Sequence, residues 1–173
     1  MIEQLSVGQC VCYGGTGVCR VERIETVPFP DEQHMRKCCE LKPVGNPSMA
    51  ILVPLDNAAL CAKIKPLLSK QEIDRMISAL PDLPSLWMEE RKQRAAEFRR
   101  ILSAGDAQTL LQLLYTLKQQ REILRQNGKK LASADLLVWK EAVRVIDEEF
   151  AYSLGIRQQD VPAYISDQLQ TIE

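Results

Sequence analysis

The first 57 residues alternate short apolar runs with polar turns, a pattern typical of β-strands. The runs cover residues 7–15, 17–25, 35–43 and 48–57, and segments rich in Gly, Pro, Asn or Asp separate them. Charged side chains interrupt the apolar positions, as in strands with one exposed face. "YGGTG" favours a tight strand connection, since it lacks the lysine and spacing of a phosphate-binding loop. Four or five strands in this length predict a small, strongly bent sheet or barrel.

From Ser69 onward the apolar positions recur every three or four residues, which predicts helices. Ser69 and Glu72 form a capping box that begins the first helix, and "PDLP" at 81–84 ends it. A second helix is predicted from near Trp87 to Ser103, with Gly105 ending it, and a third from an Asp106 cap to Asn127-Gly128. Two more are predicted from a Ser133 cap to Gly155 and after Asp160.

The change of period divides the chain into two parts. We expect an α+β protein of two domains, with a small β-barrel domain at residues 1–65 and an all-α domain at residues 66–173. Apolar residues between 57 and 68 predict a packed connection rather than a flexible linker.

Charge and composition narrow the function classes. The 22 basic and 23 acidic residues give a net charge of −1, so any attraction for nucleic acid must be local. No stretch has the length or apolarity of a membrane span, and the first residues do not resemble a secretion signal. We therefore expect a cytoplasmic protein that has no contact with membranes.

The six cysteines are expected to be free thiols, because a reducing compartment is expected. Their spacing does not match common zinc sites, and His34 has no nucleophile motif beside it. We expect no catalytic residue, no metal and no cofactor.

Two tryptophans have different surroundings. Trp139 lies within an apolar helical stripe, which indicates core packing. The other members of this stripe are Leu136, Val143, Ile146 and Phe150. Trp87 follows "LPDLPS" and precedes a charged helix. Its position is consistent with interdomain packing and equally with a wedge that inserts into a binding partner.

Two basic clusters follow Trp87. Five basic residues oppose only Glu97 in residues 91–100, and five oppose only Glu122 in residues 118–130, so each segment carries +4. They form either solvated helix faces or a surface for phosphates. The Glu89-Glu90 pair beside Trp87 counts against very strong DNA affinity.

A series of motifs resembles the CarD/CdnL family of bacterial transcription regulators. The N-terminal part is similar to the RNA-polymerase-interacting domain that this family shares with the transcription-repair coupling factor. The motifs are "VGQCVCYGGTGVCRVERIE" (7–25), "CCELKP" (38–43), "VPLDN" (53–57), a Trp-to-Gly-Asp stretch (87–106) and "KKLASADLLVWKEAVRVIDEEFAYSLG" (129–155). The similarity covers residues 5–157, and the order of the motifs is specific.

This resemblance implies a Tudor-like or SH3-like β barrel that binds the RNA polymerase β subunit, followed by a helical domain that contacts promoter DNA. It places Trp87 at the upstream edge of the transcription bubble, where an apolar wedge disfavours re-annealing. Phosphate contacts without base readout are expected first from Arg91, Lys92 and Arg94, and second from Arg121, Arg125 and Lys130. The polymerase contact is expected at Val27, Leu52, Val53 and Pro54; some family members carry arginines at the positions of Val27 and Leu52.

The leading hypothesis is therefore a non-enzymatic, monomeric regulator that stabilises or tunes the promoter open complex. The alternative is an adaptor whose helical domain binds a second protein and not DNA. A thiol enzyme comes third, because no activating neighbour is evident for any cysteine. Activation and repression both stay open.

Overall fold

The structure is a computed structural model that describes residues 5–28 and 34–170. Contacts along the chain divide it into two compact units, Met1–Leu67 and Leu68–Glu173, and each is described by itself. The first unit is a β-sheet and the second is helical, so the predicted α+β class is confirmed. The predicted organisation as two domains stays a prediction.

Among its described residues, the first unit contains a five-stranded antiparallel sheet with the order β4-β3-β2-β1-β5. Its strands are β1 (Cys10–Tyr13), β2 (Gly17–Pro28), β3 (Met35–Pro43), β4 (Ile51–Pro54) and β5 (Ile64–Pro66). Each of the four predicted runs contains a strand, and β5 lies in the stretch predicted only as a packed connection. A short 3₁₀ turn at Gly14–Thr16 joins β1 to β2 where "YGGTG" predicted a tight connection.

The sheet bends at a register shift between Val21 and Arg23 in the long strand β2. A bulge of this kind increases local twist, which lets β2 pair with β1 at one end and with β3 along most of its length. Within the described residues β4 and β5 are the two edges of the ladder. A short helix, α1 (Ala58–Cys61), begins at Asn57, whose side chain accepts a hydrogen bond from the Leu60 amide.

The described part of the second unit, residues 68–170, contains five α-helices. They are α2 (Lys70–Ala79), α3 (Arg91–Ala104), α4 (Ala107–Gln126), α5 (Ser133–Leu154) and α6 (Val161–Gln170). Their core includes fully buried Phe98, Leu113, Leu117, Ile146 and Phe150.

Helix boundaries follow local capping chemistry at most ends. The Ser69–Glu72 capping box is present, and the Asp106 side chain accepts a hydrogen bond from the Thr109 amide. Gly105 and Gly155 end α3 and α5 in the left-handed conformation, with φ of 61° and 67°. These predictions are confirmed, because each rests on residues within one turn of the helix end.

Two predicted helix starts are wrong. The helix expected from near Trp87 begins at Arg91, because the Glu90 carboxylate caps it. Ser133 is the first residue of α5 rather than its cap, and Ala132 precedes it without a side-chain cap. Leu131 is only 6% exposed, and its burial in the core fixes where the chain enters α5.

The predicted apolar stripe of α5 coincides with the buried face of the helix at its C-terminal end but not at its N-terminal end. Ile146 and Phe150 are fully buried, Trp139 is half-buried against the core, and Leu136 is 42% exposed. Asp135 takes the buried place near the start of the helix, at 5% exposure.

Candidate nucleic-acid and polymerase interfaces

The segment that carries Trp87 is fixed to α4 by two hydrogen bonds. The Leu86 amide donates to the hydroxyl of buried Thr116 at 3.1 Å, and the Gln112 side chain donates to the Pro84 carbonyl at 2.8 Å. Both partners lie on α4, which is anchored in the core. Trp87 therefore follows a segment that hydrogen bonds to α4 fix in position.

The indole of Trp87 has partners on one face and at its edge. The Arg94 guanidinium lies over the ring, 4.1 Å from its centroid, which is cation–π geometry. The indole nitrogen donates to a Glu89 carboxylate oxygen at 3.1 Å. The side chain is half-buried. These contacts restrict the orientation of the ring while part of it stays accessible.

Arg94 is itself held by a buried ion pair. Its Nε and Nη2 atoms donate to the two Asp135 oxygens at 3.2 and 3.1 Å, and both side chains are 7% exposed. Its Nη1 donates to the Met88 carbonyl at 2.6 Å. Burial and these hydrogen bonds count against the predicted direct contact of Arg94 with phosphate, and its guanidinium lies against the Trp87 ring instead.

Arg91 and Lys92 occupy the first turn of α3, and both are exposed. Among the residues that the structure describes, neither side chain has an ion-pair partner. The Glu90 carboxylate accepts hydrogen bonds from the Lys92 and Gln93 amides at 3.0 and 2.6 Å, and these bonds lower the pKa of Glu90. Because Glu90 occupies the helix N-terminus, any phosphate there must be held by side chains.

The second predicted set lies at and beyond the end of α4. Arg125 forms a two-bond ion pair with Glu122 at 2.9 and 2.7 Å, which lowers the pKa of Glu122 and raises that of Arg125. Arg121 lies 6.0 Å from the centroid of the Trp139 ring. Lys130 is exposed in the connection between α4 and α5. The first and second sets thus occupy different helix ends, and Arg125 is partly neutralised.

The predicted polymerase contact contains both buried and accessible side chains. Val53 is fully buried in the core and Pro54 is also buried, so their side chains are not accessible to a partner, and a contact at these two residues stays a prediction that rests on the backbone of β4. Leu52 is 37% exposed on edge strand β4, and Val27 is half-buried near the end of β2. Leu52 faces away from Val53 because successive side chains alternate across a strand.

A family model matches the part of the chain that holds this sheet. Residues 5–68 match the CarD-like/TRCF RID domain. The chain carries a CarD-like RID domain. The resemblance predicted from the sequence is confirmed for this domain. A comparison with curated proteins finds no match to the chain.

The RID domain family defines the coarse function of the N-terminal unit. RID domains generally bind the RNA polymerase β subunit, and the family is one of protein interaction rather than catalysis. The fold of the domain is Tudor-like. RNA polymerase binding and transcription regulation are therefore the functions that this family supports.

The thiols of the RID domain lie in a setting that opposes reactivity. The six cysteines, all within the described residues, are thiols that form no disulfide, and all except Cys10 are buried. Burial raises the pKa of Cys39 to about 11, and it also raises the pKa of Cys38 and Cys61. Reactive cysteines require a lowered pKa, so this environment does not favour a thiolate nucleophile.

The described residues contain no group of three or more metal-ligating side chains placed to hold a metal ion. None of the described helices is long and apolar enough to cross a membrane.

Proposed function

We propose that this chain is a monomeric cytoplasmic transcription regulator. Its RID domain binds the RNA polymerase β subunit, and Trp87 tunes the promoter open complex at the upstream edge of the bubble. The match of residues 5–68 to the RID domain family is the observation that carries the proposal.

Edge strand β4 is the proposed polymerase contact. An exposed edge can pair with a strand of a partner through backbone hydrogen bonds, and side chains on the accessible face then add specificity. Leu52 is the accessible apolar side chain of this strand. Val27 lies on the same sheet near the end of β2 and contributes at the border of the contact.

Trp87 is the proposed wedge. A wedge that unstacks bases must hold its own orientation, and the Arg94–Asp135 pair supports a fixed ring. Arg91 and Lys92 lie next to this segment and are free to contact phosphates without reading bases. Arg121 and Lys130 are the secondary candidates. A factor with these contacts activates when it stabilises a short-lived complex and represses when it slows escape.

Polymerase binding is tested by measuring the affinity of the purified full-length chain for the cognate β subunit. Leu52→Glu places a carboxylate on β4 opposite Glu40 and should weaken binding about tenfold, as loss of an interface anchor does. Val7→Glu is the matched control, since Val7 is also an exposed apolar residue of this unit, at 64% exposure. If the two variants bind the β subunit with equal affinity, β4 is not part of the contact. If the wild type does not bind it, the proposed function is wrong.

The adaptor alternative is supported by apolar exposure near the α4–α5 connection. Leu137 is 67% exposed, Ile123 51% and Leu136 42%, which is suitable for a protein partner. DNA affinity measured over a range of salt concentrations distinguishes the two functions. The regulator predicts binding that weakens with salt, with a smaller slope after Arg91→Ala and Lys92→Ala, and the adaptor predicts no DNA binding.

A further inference from the structure

A cavity of about 350 Å³ lies within the helical unit, and the residues that hold Trp87 are not among those that line it. Helices α4, α5 and α6 and the turn after α2 line it, and most of its wall is apolar. Its volume falls at the lower end of the range of small-molecule sites, about 300–1,000 Å³. The residues that matter for its chemistry are Tyr115, Lys118, Trp139, Val143, Asp147 and Ile165.

One wall of the cavity ends in a carboxylate. Trp139, Val143 and Asp147 follow each other at four-residue steps along α5, so they share one face of the helix. All three line the cavity. This wall therefore presents, in order along α5, an aromatic ring, an aliphatic side chain and a carboxyl group.

Asp147 is unusual because no residue that the structure describes compensates its charge. It is half-buried, and within residues 5–28 and 34–170 no hydrogen bond or ion pair reaches its side chain. Burial raises its pKa to about 6, so at neutral pH it is mostly ionised despite a poorly hydrated site. Uncompensated charges of this kind in a cleft are associated with binding sites.

Lys118 does not neutralise this carboxylate. It lines the same cavity from α4, yet it is exposed, and a lysine in that position keeps its ammonium group in water. Tyr115 on α4 and Ser166 on α6 are the other polar side chains of the wall, and neither carries a positive charge. The dehydrated charge of the cavity is thus negative.

We propose that this cavity binds a small organic ammonium ion with an apolar body. The ammonium group replaces lost water at the Asp147 carboxylate through charge-assisted hydrogen bonds. The apolar body lies along Val143 and Trp139. Because α6 contributes Ile165 and neighbouring residues, an occupied cavity also ties α6 to α4 and α5.

The test compares probes that differ only in their head group. The full chain, labelled with ¹⁵N, is titrated at pH 7.4 with n-hexylammonium, 1-hexanol and hexanoate while the indole resonances of Trp139 and Trp87 are followed. Hexylammonium should move the Trp139 resonance, leave that of Trp87 in place, and bind about tenfold more tightly than 1-hexanol.

Two substitutions complete the test. Asp147→Asn keeps the shape and removes the charge, so the preference for hexylammonium over hexanol should fall below about twofold. Asp167→Asn is the matched control on the exposed side of α6 and should keep the preference. Equal binding of the two probes by the wild type, tighter binding of hexanoate, or an unchanged preference in Asp147→Asn would each overturn the proposal.

Discussion

Removing the negative partner of Arg94 should destabilise the helical unit more than any surface substitution. In Asp135→Asn the guanidinium stays in a site where its side chain is 7% exposed, and the compensating charge is lost. Breaking a buried pair in this way typically costs about 3–5 kcal/mol. The hydrogen bonds from Arg94 to the Met88 and Glu89 carbonyls remain, so we expect about 3 kcal/mol, roughly a hundredfold in the folding equilibrium.

Chemical denaturation of the full chain, followed by far-ultraviolet circular dichroism, measures this loss. Glu122→Gln is the matched control, because it breaks an ion pair with Arg125 whose side chains are 50% and 72% exposed. That variant should leave the denaturation midpoint unchanged, since exposed pairs contribute little. A loss below about 1 kcal/mol in Asp135→Asn, or a similar loss in the control, would refute the buried pair as the support of this segment.

A double substitution separates stability from the positioning of Trp87. Replacing Arg94 by Met and Asp135 by Leu removes both charges, and apolar replacements of buried pairs are often neutral or stabilising. Stability should therefore return, while the Trp87 indole loses its guanidinium partner and its fluorescence changes. Unchanged Trp87 fluorescence in the double variant would show that Arg94 does not hold the ring.

Three further predictions concern other parts of the molecule. Asp147→Asn should raise the free energy of unfolding at pH 7.5 by about 1 kcal/mol after allowance for partial exposure, because the folded-state pKa of about 6 lies above the ordinary 3.8. In denaturation at several pH values that gain should shrink as the pH falls from 6 to 4, and a gain that does not change with pH would contradict its origin in the dehydrated carboxylate. Ser69→Ala removes the capping box of α2 and should cost about 1 kcal/mol in the same assay; no loss would mean that the cap contributes nothing. Cys39 should react with a thiol reagent at pH 7.5 only at the rate of unfolding, and fast labelling of the folded protein would contradict its burial.

Most of the fold could be predicted because its signals are local. Strands β1 to β4 follow alternation and turn residues within short windows, and the Ser69 and Asp106 caps lie within three residues of their partners. Strand β5 has only three residues, and its partner β1 lies some fifty residues earlier in the chain. No local window contains that pairing, so only the packed character of the stretch could be predicted.

The sequence predicts which types of residue make up the candidate site, but it does not predict what each of them contacts. Arg94 and Asp135 are 41 residues apart, and in sequence Arg94 is one more cation of a basic helix. Asp135 in a first turn usually compensates the helix dipole, so nothing marks it as buried. Glutamate is not among the residues typical of helix N-caps, and therefore the start of α3 is predicted near Trp87 rather than at Arg91.

The same distinction applies to the predicted contact residues of β4. Val53 and Pro54 are part of the motif that resembles the family, but a family motif contains core residues as well as contact residues. Alternation along a four-residue strand assigns Leu52 and Val53 to opposite faces without indicating which face is covered. The structure shows that the face carrying Val53 is the buried one.

The most direct test of the role of Trp87 is to measure the lifetime of promoter open complexes formed by the cognate RNA polymerase. This lifetime is measured without protein, with the wild type, and with Trp87→Ala, using a competitor to trap released polymerase. We expect the wild type to change the lifetime and Trp87→Ala to remove most of this effect, about five- to a hundredfold if one stacking contact is lost. A wild-type effect that survives Trp87→Ala, in a variant that still binds polymerase, would show that Trp87 is not the wedge.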